Sequence, residues 1–94
     1  MSEERQRIDV WLFRARLVKT RAAAARLVGE GGVRLTRDGA SRQLDRASVE
    51  VAPGDAVTLP RPAKLRTIRV LRLGLRRGPA PEARALYEDV SDAE

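Results

Sequence analysis

The chain contains neither cysteine nor histidine. The absence of cysteine excludes disulfide bonds, thiolate nucleophiles and iron–sulfur ligation. Without histidine as well, zinc sites built from these two residue types, Ser-His and Cys-His nucleophile pairs and an imidazole general base are all excluded. Acid–base chemistry would depend on carboxylates, Tyr87 or the two lysines. We therefore expect no enzyme, no metal and no cofactor.

Long apolar runs are also missing. No segment approaches the roughly 20 apolar residues of a membrane-spanning helix, and the polar segment 1–7 is not followed by the apolar stretch of a signal peptide. We expect a cytoplasmic protein that does not contact membranes. Its 94 residues are enough for one domain and too few for two.

Lysine is scarce among the basic residues, and arginine is abundant. The chain has a net charge of +6, and 17 of its 19 basic residues are arginine. Basic residues outnumber acidic ones seven to four in 1–30 and eleven to four in 31–77, whereas five acidic residues face one basic residue in 78–94. This basic body with an acidic end favours a polyanionic partner, because guanidinium groups match phosphate oxygens in geometry and charge.

Two helices are predicted near the N-terminus. Ile8, Trp11, Leu12 and Ala15 have the spacing of one buried helical face, which predicts a helix over 8–18. Thr20 is a candidate N-cap for a second helix that ends near Val28 at the glycines that follow it, one of which we expect in the left-handed conformation. Core packing is the preferred interpretation of Trp11 and Phe13, ahead of base stacking.

Four or five short strands are predicted to follow. Alternating apolar residues at 33–35, 49–51, 57–59 and 68–75 predict strands, and Asp38-Gly39 predicts a tight turn. The polar stretch 41–48 is predicted to be a loop. A short closing helix is expected over 81–87, followed by an acidic tail at 89–94. The sequence thus predicts an α+β fold in which a helix pair packs on a small antiparallel sheet.

One set of residues has a characteristic spacing along the first 60 positions: Arg7-Ile8-Asp9, Leu12, Arg16, Thr20-Arg21, Ala24, Leu27-Val28, Gly31, Val33, Leu35 and Pro53-Gly54-Asp55. Over residues 7–60 this pattern resembles the S4 RNA-binding domain. The sequence departs from the family at one place: where the family commonly has Asn-Gly soon after the strand at 33–35, the turn here is Asp38-Gly39 and is slightly displaced. The resemblance to this family implies that the basic surface around the second helix binds RNA.

The start of the second helix is the expected binding position. A helix N-terminus offers unpaired N–H groups and a partial positive charge to a phosphate. Lys19 and Arg21 flank this position, and Thr20 can cap the helix or contribute its hydroxyl. The other expected members of the RNA-binding set, inferred from spacing, are Arg7, Arg16, Arg34 and Arg37. The alternative interpretation of each of these cations is a solvated surface charge.

The C-terminal part resembles one branch of that family. Residues 76–83 and 86–88, with Trp11-Leu12-Phe13 and Lys19-Thr20-Arg21, are similar to the ribosome-associated heat shock protein 15 branch. The resemblance implies binding to free large ribosomal subunits that carry a stalled nascent chain or peptidyl-tRNA, and assistance in their recycling. We expect a single domain over 1–94, with an RNA-binding core at 7–60, a strand region at 61–77, and a helix and acidic tail at 78–94.

Other functions remain open at this point. A regulatory binder of messenger RNA or of DNA would use a similar basic patch. A protein-binding adaptor could use Val10, Phe13 and the acidic tail, whereas an RNA-modifying enzyme would need a further catalytic domain. We expect large-subunit ribosomal RNA and transfer RNA as the partners and a monomer as the state of the chain, although the sequence does not determine whether it dimerises.

Overall fold

Residues 4–60 and 66–90 are described by the structure, a computed structural model. Within these ranges the chain forms three helices and seven strands. The helices are α1 (Ile8–Arg14), α2 (Arg21–Gly29) and α3 (Ala80–Arg84). The strands are β1 (Gln6–Arg7), β2 (Arg34–Arg37), β3 (Ala40–Gln43), β4 (Glu50–Val51), β5 (Ala56–Leu59), β6 (Arg66–Val70) and β7 (Tyr87–Asp89).

The strands form one antiparallel sheet and one small ribbon. The sheet has five strands in the order β3-β2-β5-β6-β7, and β1 pairs with β4 in a separate two-stranded ribbon. The α1–α2 pair contributes its apolar residues to the core that the sheet also lines. This arrangement confirms the predicted α+β fold with a helix pair, a five-stranded antiparallel sheet and a short C-terminal helix.

Trp11 lies at the centre of the core. Its side chain is fully buried, as are those of Ile8 and Leu12 on the same helix. The indole Nε1–H donates to the carbonyl of Arg72 at 3.0 Å, which gives the one polar atom of this large side chain a partner. The core position predicted for Trp11 is confirmed, whereas Phe13 is only half-buried.

Helix α1 is shorter than predicted. It ends at Arg14 rather than Val18, because Arg16 adopts a left-handed conformation with φ of 59°. The N–H groups of Leu17 and Val18 both point back to the carbonyl of Leu12, at 3.1 and 3.4 Å. The apolar run that continues past Arg14 is therefore a compact connector between the helices.

Part of the predicted loop 41–48 is a strand instead. Strand β3 has no buried residue, so it lacks the apolar alternation that identifies half-buried strands. The Asp38-Gly39 turn creates it: both residues have positive φ, 53° and 81°, which reverses the chain directly after β2. The predicted turn is confirmed, and the loop prediction is wrong over 41–43.

The C-terminal elements also differ in their limits. Strand β6 ends at Val70 rather than Leu75, and α3 ends at Arg84. Residues 87–89, predicted as helix end and tail, form the edge strand β7 beside β6. Most of the predicted tail, 91–94, lies outside the described residues. None of the helices in the described ranges is long and apolar enough to cross a membrane.

Candidate RNA-binding surface

Thr20 caps the start of α2, as predicted. Its backbone is extended, with φ of −136° and ψ of 158°, and its Oγ1 accepts from the N–H of Ala23 at 3.0 Å. The hydroxyl hydrogen of Thr20 can still donate to another acceptor. The first N–H groups of α2 have no acceptor within the helix. The exposed end of this helix therefore offers hydrogen-bond donors and a partial positive charge.

Asp9 holds two arginines beside this helix start. Both nitrogens Nε and Nη2 of Arg7 donate to the two carboxylate oxygens of Asp9 at 3.1 Å, and Nε of Arg21 lies 3.5 Å from Oδ2. The Asp9 side chain is 4% exposed, whereas those of Arg7 and Arg21 are 46% and 56% exposed. We call Arg7, Asp9 and Arg21 the Asp9 cluster. It faces solvent with guanidinium groups and keeps its carboxylate beneath them.

The charges of the cluster are stable at neutral pH. Burial acts to raise the pKa of Asp9, but the hydrogen bonds and charge of Arg7, the N–H of Val10 and the charge of Arg21 outweigh it and lower the pKa. The hydrogen bond and charge of Asp9 in turn raise the pKa of Arg7. One carboxylate thus offsets one of two cations, and the cluster keeps a net positive charge.

Lys19 adds a further cation next to the cluster. It directly precedes the Thr20 cap, and its side chain is exposed. Within the described ranges it has neither a hydrogen bond nor an ion pair. Lys19, Thr20 and the Asp9 cluster together form what we call the helix-start surface. Four of the seven predicted RNA-binding residues belong to it: Arg7, Lys19, Thr20 and Arg21.

Arg16 is tied to the C-terminal part of the chain. Its Nε donates to the carbonyl of Gly78 at 2.6 Å, so part of its guanidinium is already used within the protein. The residue is nevertheless exposed and carries its charge in the connector between the helices. Its predicted contact with RNA remains a prediction.

Arg34 and Arg37 do not join the Asp9 cluster. Arg37 binds the buried carboxylate of Asp55 through Nε at 2.9 Å and Nη2 at 2.7 Å, and Nη2 also donates to the carbonyl of Glu50 at 3.2 Å. The hydrogen bonds of Arg37 therefore connect β2 to the turn before β5. Arg34 is exposed on the opposite face of the sheet, since its neighbour Leu35 points into the core.

Two features of the surface were missed by sequence reasoning. Asp9 was not among the predicted RNA-binding residues, although its position two residues after Arg7 was a visible signal for an ion pair. The segment after β6 was predicted as strand, yet it packs on α1. There the Arg14 guanidinium donates to the Gly74 carbonyl at 2.8 Å, and Arg77 stacks over the Phe13 ring at 4.7 Å. No local pattern indicates these contacts between residues 60 positions apart.

Comparison with known proteins identifies the family. The S4 domain model matches residues 6–35, which contain β1, both helices of the pair and the start of β2. The heat shock protein 15 homolog of Haemophilus influenzae is 30% identical over 99% of this chain and 67% of its own length. The chain belongs to the heat shock protein 15 family. This family of RNA-binding heat shock proteins also includes heat shock protein 15 of Escherichia coli K12, 33% identical over 93% of this chain.

The family resemblance extends to the three-dimensional structure. A solved heat shock protein 15 structure from Vibrio cholerae superposes with a TM-score of 0.78 at 33% identity, covering 94% of this chain and 84% of that one. That structure is described as trimeric. The chain spans 62% of the Escherichia coli protein and 67% of the Haemophilus influenzae protein. The heat shock protein 15 fold therefore covers nearly all of this chain, while its relatives are longer.

Proposed function

We propose that the chain binds the free large ribosomal subunit carrying a stalled nascent chain or peptidyl-tRNA and assists the recycling of that subunit. Ribosomal RNA and transfer RNA are the proposed ligands, and the protein acts by binding rather than by catalysis. The family supports RNA binding, and the ribosome is the partner that the resemblance to the heat shock protein 15 branch implies.

The helix-start surface carries this proposal. Arg7 and Arg21 are positioned by a shared carboxylate, so their remaining donors are held in place rather than sampling many rotamers. A phosphate that approaches the start of α2 meets these donors, the exposed helix N–H groups and Lys19 together. Contacts of this kind fix the position of an RNA backbone, and the shape of the folded RNA supplies selectivity.

The adaptor alternative has less support from the geometry. The apolar surface expected for an adaptor included Phe13. In the structure the guanidinium of Arg77 covers the Phe13 ring, and the Nε of Arg77 donates to the Phe13 carbonyl at 3.1 Å. A ring in this position offers little apolar area to a protein partner. The described residues also contain no group of three metal-ligating side chains.

Co-sedimentation with ribosomal particles tests the proposal. We expect the wild-type protein to sediment with large subunits that carry peptidyl-tRNA and to bind small subunits weakly. Arg21→Glu reverses a charge of the Asp9 cluster and should abolish co-sedimentation. The new glutamate lies on the side of Asp9, but its favourable interaction with the helix dipole opposes this repulsion, and Arg7 still pairs with Asp9, so the fold should survive the change.

The matched control lies on the same helix. Arg26→Glu makes the same charge change near the far end of α2, where the side chain is exposed, and should retain co-sedimentation. Circular dichroism would verify that both variants are folded. If Arg21→Glu sediments like the wild type, or if both variants lose binding equally, the helix-start surface is not the binding site.

Sequencing of crosslinked RNA separates the ribosomal proposal from its nucleic-acid alternatives. Large-subunit ribosomal RNA and transfer RNA should dominate the crosslinked fraction. A fraction dominated by messenger RNA, or preferential binding to duplex DNA, would instead identify a regulatory protein.

The oligomeric state should be measured alongside. The expected monomer stays a prediction, and the trimer described for the Vibrio cholerae relative is the specific alternative. Sedimentation equilibrium distinguishes the mass of one chain from three times that mass.

A further inference from the structure

The five-stranded sheet has one face that no described helix covers. Leu35, Val57 and Ile68 point into the core, so their neighbours along each strand point the other way. Strand register places these neighbours in two rows. One row is Gln43, Arg34, Thr58 and Thr67, and the other is Ser41, Thr36, Ala56, Arg69 and Glu88. We call these nine residues the open sheet face.

Hydroxyl groups cover the middle of the open sheet face. Thr58 and Thr67 form a hydrogen bond across β5 and β6 at 3.1 Å, and Thr36 and Ser41 form one across β2 and β3 at 2.5 Å. Each such pair uses one hydrogen and leaves another hydroxyl hydrogen able to donate outward. The face is therefore polar at its centre.

Two arginines on this face form no ion pair with any carboxylate of the described residues. Arg34 and Arg69 are both exposed, and within 4–60 and 66–90 neither forms an ion pair or a side-chain hydrogen bond. This distinguishes them from Arg37 and Arg66, which bind Asp55 and Asp89. Glu88 is the single carboxylate among the nine residues of the face. It is the cross-strand neighbour of Arg69, so the face keeps two cations against one carboxylate.

The composition of the face favours RNA over protein. None of the nine residues is a large apolar or aromatic side chain, whereas the centres of protein–protein interfaces are rich in such residues. The lack of aromatics also disfavours base stacking. Cations with hydroxyl donors suit phosphate oxygens and ribose hydroxyls, which are the groups displayed by an RNA backbone.

We propose that the open sheet face is a second RNA-backbone contact, on the side of the sheet away from the helix pair. Arg34 and Arg69 bind phosphates there, and the threonine hydroxyls between them bind the intervening backbone. Arg34 and Arg69 lie two strands and one row apart, which separates their Cα atoms by roughly 12 Å at ordinary strand spacing. They therefore reach different phosphates. The proposal rests on the proposed function, since both need RNA, and it implies that the protein contacts two separate RNA segments.

A set of double variants tests the two surfaces separately. Affinity for large ribosomal subunits is measured by fluorescence anisotropy over a series of salt concentrations. Arg34→Gln with Arg69→Gln should weaken binding roughly tenfold and lower the slope of log affinity against log salt by about 1.5 to 2. Arg34→Lys with Arg69→Lys should restore most of the slope, because charge rather than packing is required.

The control removes the same charge from other places. Arg26→Gln with Arg84→Gln, at exposed positions on α2 and α3, should leave the slope within about 0.5 of the wild type. Arg7→Gln with Arg21→Gln tests the helix-start surface in the same assay. If the open-sheet variant binds like the control while the helix-start variant is weakened, the second contact is refuted and the proposed function stands.

Two further outcomes would overturn the proposal. If both the open-sheet and the helix-start variants bind like the wild type, the proposed function fails and the second contact fails with it. If the open-sheet variant changes the sedimentation mass without changing the salt slope, the face joins copies of the chain rather than RNA.

Discussion

Two arginine–carboxylate sites in this molecule have the same chemistry and different consequences. In the Asp9 cluster, one buried carboxylate is shared by two half-exposed guanidinium groups. At Asp55, one buried carboxylate accepts hydrogen bonds from Nε and Nη2 of a single arginine, Arg37, whose side chain is 33% exposed. The first site keeps an excess positive charge at the surface. Among the described residues, the second pairs one cation with one carboxylate and carries no such excess.

The number of cations per carboxylate distinguishes the proposed binding site from the structural one. Asp55 also accepts from the N–H of Ala52 at 2.9 Å, and Arg37 also donates to the Glu50 carbonyl. These bonds join β2, β4 and the turn before β5. Asp9 instead accepts from Val10 at the start of α1 and orients donors toward solvent. Exposure and stoichiometry, rather than residue type, thus assign the two roles.

The largest expected effect is on stability at the Asp55 site. Asp55→Ala leaves the Ala52 N–H and the Arg37 guanidinium without their acceptor, and should lower the free energy of unfolding by about 3 kcal/mol. Urea denaturation followed by circular dichroism measures this loss. A loss below about 1 kcal/mol would mean that solvent replaces the pair at little cost, and the contrast between the two sites would disappear.

A somewhat smaller effect concerns the charged surface as a whole. If about five side chains reach phosphates, a threefold rise in salt should weaken RNA binding roughly a hundredfold. Anisotropy titrations with a large-subunit RNA fragment at 0.1 and about 0.3 M potassium chloride measure the ratio. An affinity independent of salt would remove the cationic surface as the basis of binding.

The direct contrast between the two arginines is expected to be about tenfold in affinity. Arg21→Gln should weaken RNA binding and lower the salt slope by about 1, because one phosphate contact is lost. Arg37→Gln should leave the slope unchanged and lower stability instead, since its donors are used inside the protein. The same titrations, combined with urea denaturation, measure both quantities. Equal slopes for the two variants would contradict the assignment.

The smallest expected effect is the pH dependence that Asp9 contributes. Its pKa is lower in the folded protein than the ordinary value of 3.8, so its ionised form stabilises the fold above that value. This contribution is lost as the pH falls through the folded pKa. Asp9→Asn should cost about 1 kcal/mol at pH 7 and make the stability curve flatter below pH 4.

Glu82→Gln is the control for that pH measurement. Arg76 lowers the pKa of Glu82 as well, through a hydrogen bond and its charge, but this pair is exposed. Glu82→Gln should therefore change the acid limb of the stability curve less than Asp9→Asn does. A larger change for Glu82→Gln would show that the ion pair of the Asp9 cluster contributes little to folding.

Local signals predicted the parts of the molecule that depend on neighbouring residues. The Thr20 cap, the positive φ of one glycine after the second helix and the Asp38-Gly39 turn are all confirmed, and the glycine is Gly31. Each follows from side-chain size or hydrogen bonding within a few residues. The burial of Trp11 followed from helical spacing in the same way.

Predictions failed where distant contacts replace local pattern. Strand β3 has no buried side chain, so only its pairing with β2 makes it a strand. The segment after Val70 leaves the sheet because Gly74 bonds to Gln6 and Arg14, and Trp11 takes the carbonyl of Arg72. The residues near Val70 in the sequence do not predict these distant contacts.

The sequence by itself determined the family, the α+β class, the capped second helix and the excess of arginine near it. Only the tertiary structure decided which arginines stay available, because a carboxylate must be brought within about 3 to 4 Å to neutralise one. Folding places Asp55 on Arg37, shares Asp9 between Arg7 and Arg21, and leaves Arg34 on the far face of the sheet. Charge content is a property of composition, whereas charge pairing is a property of chain topology.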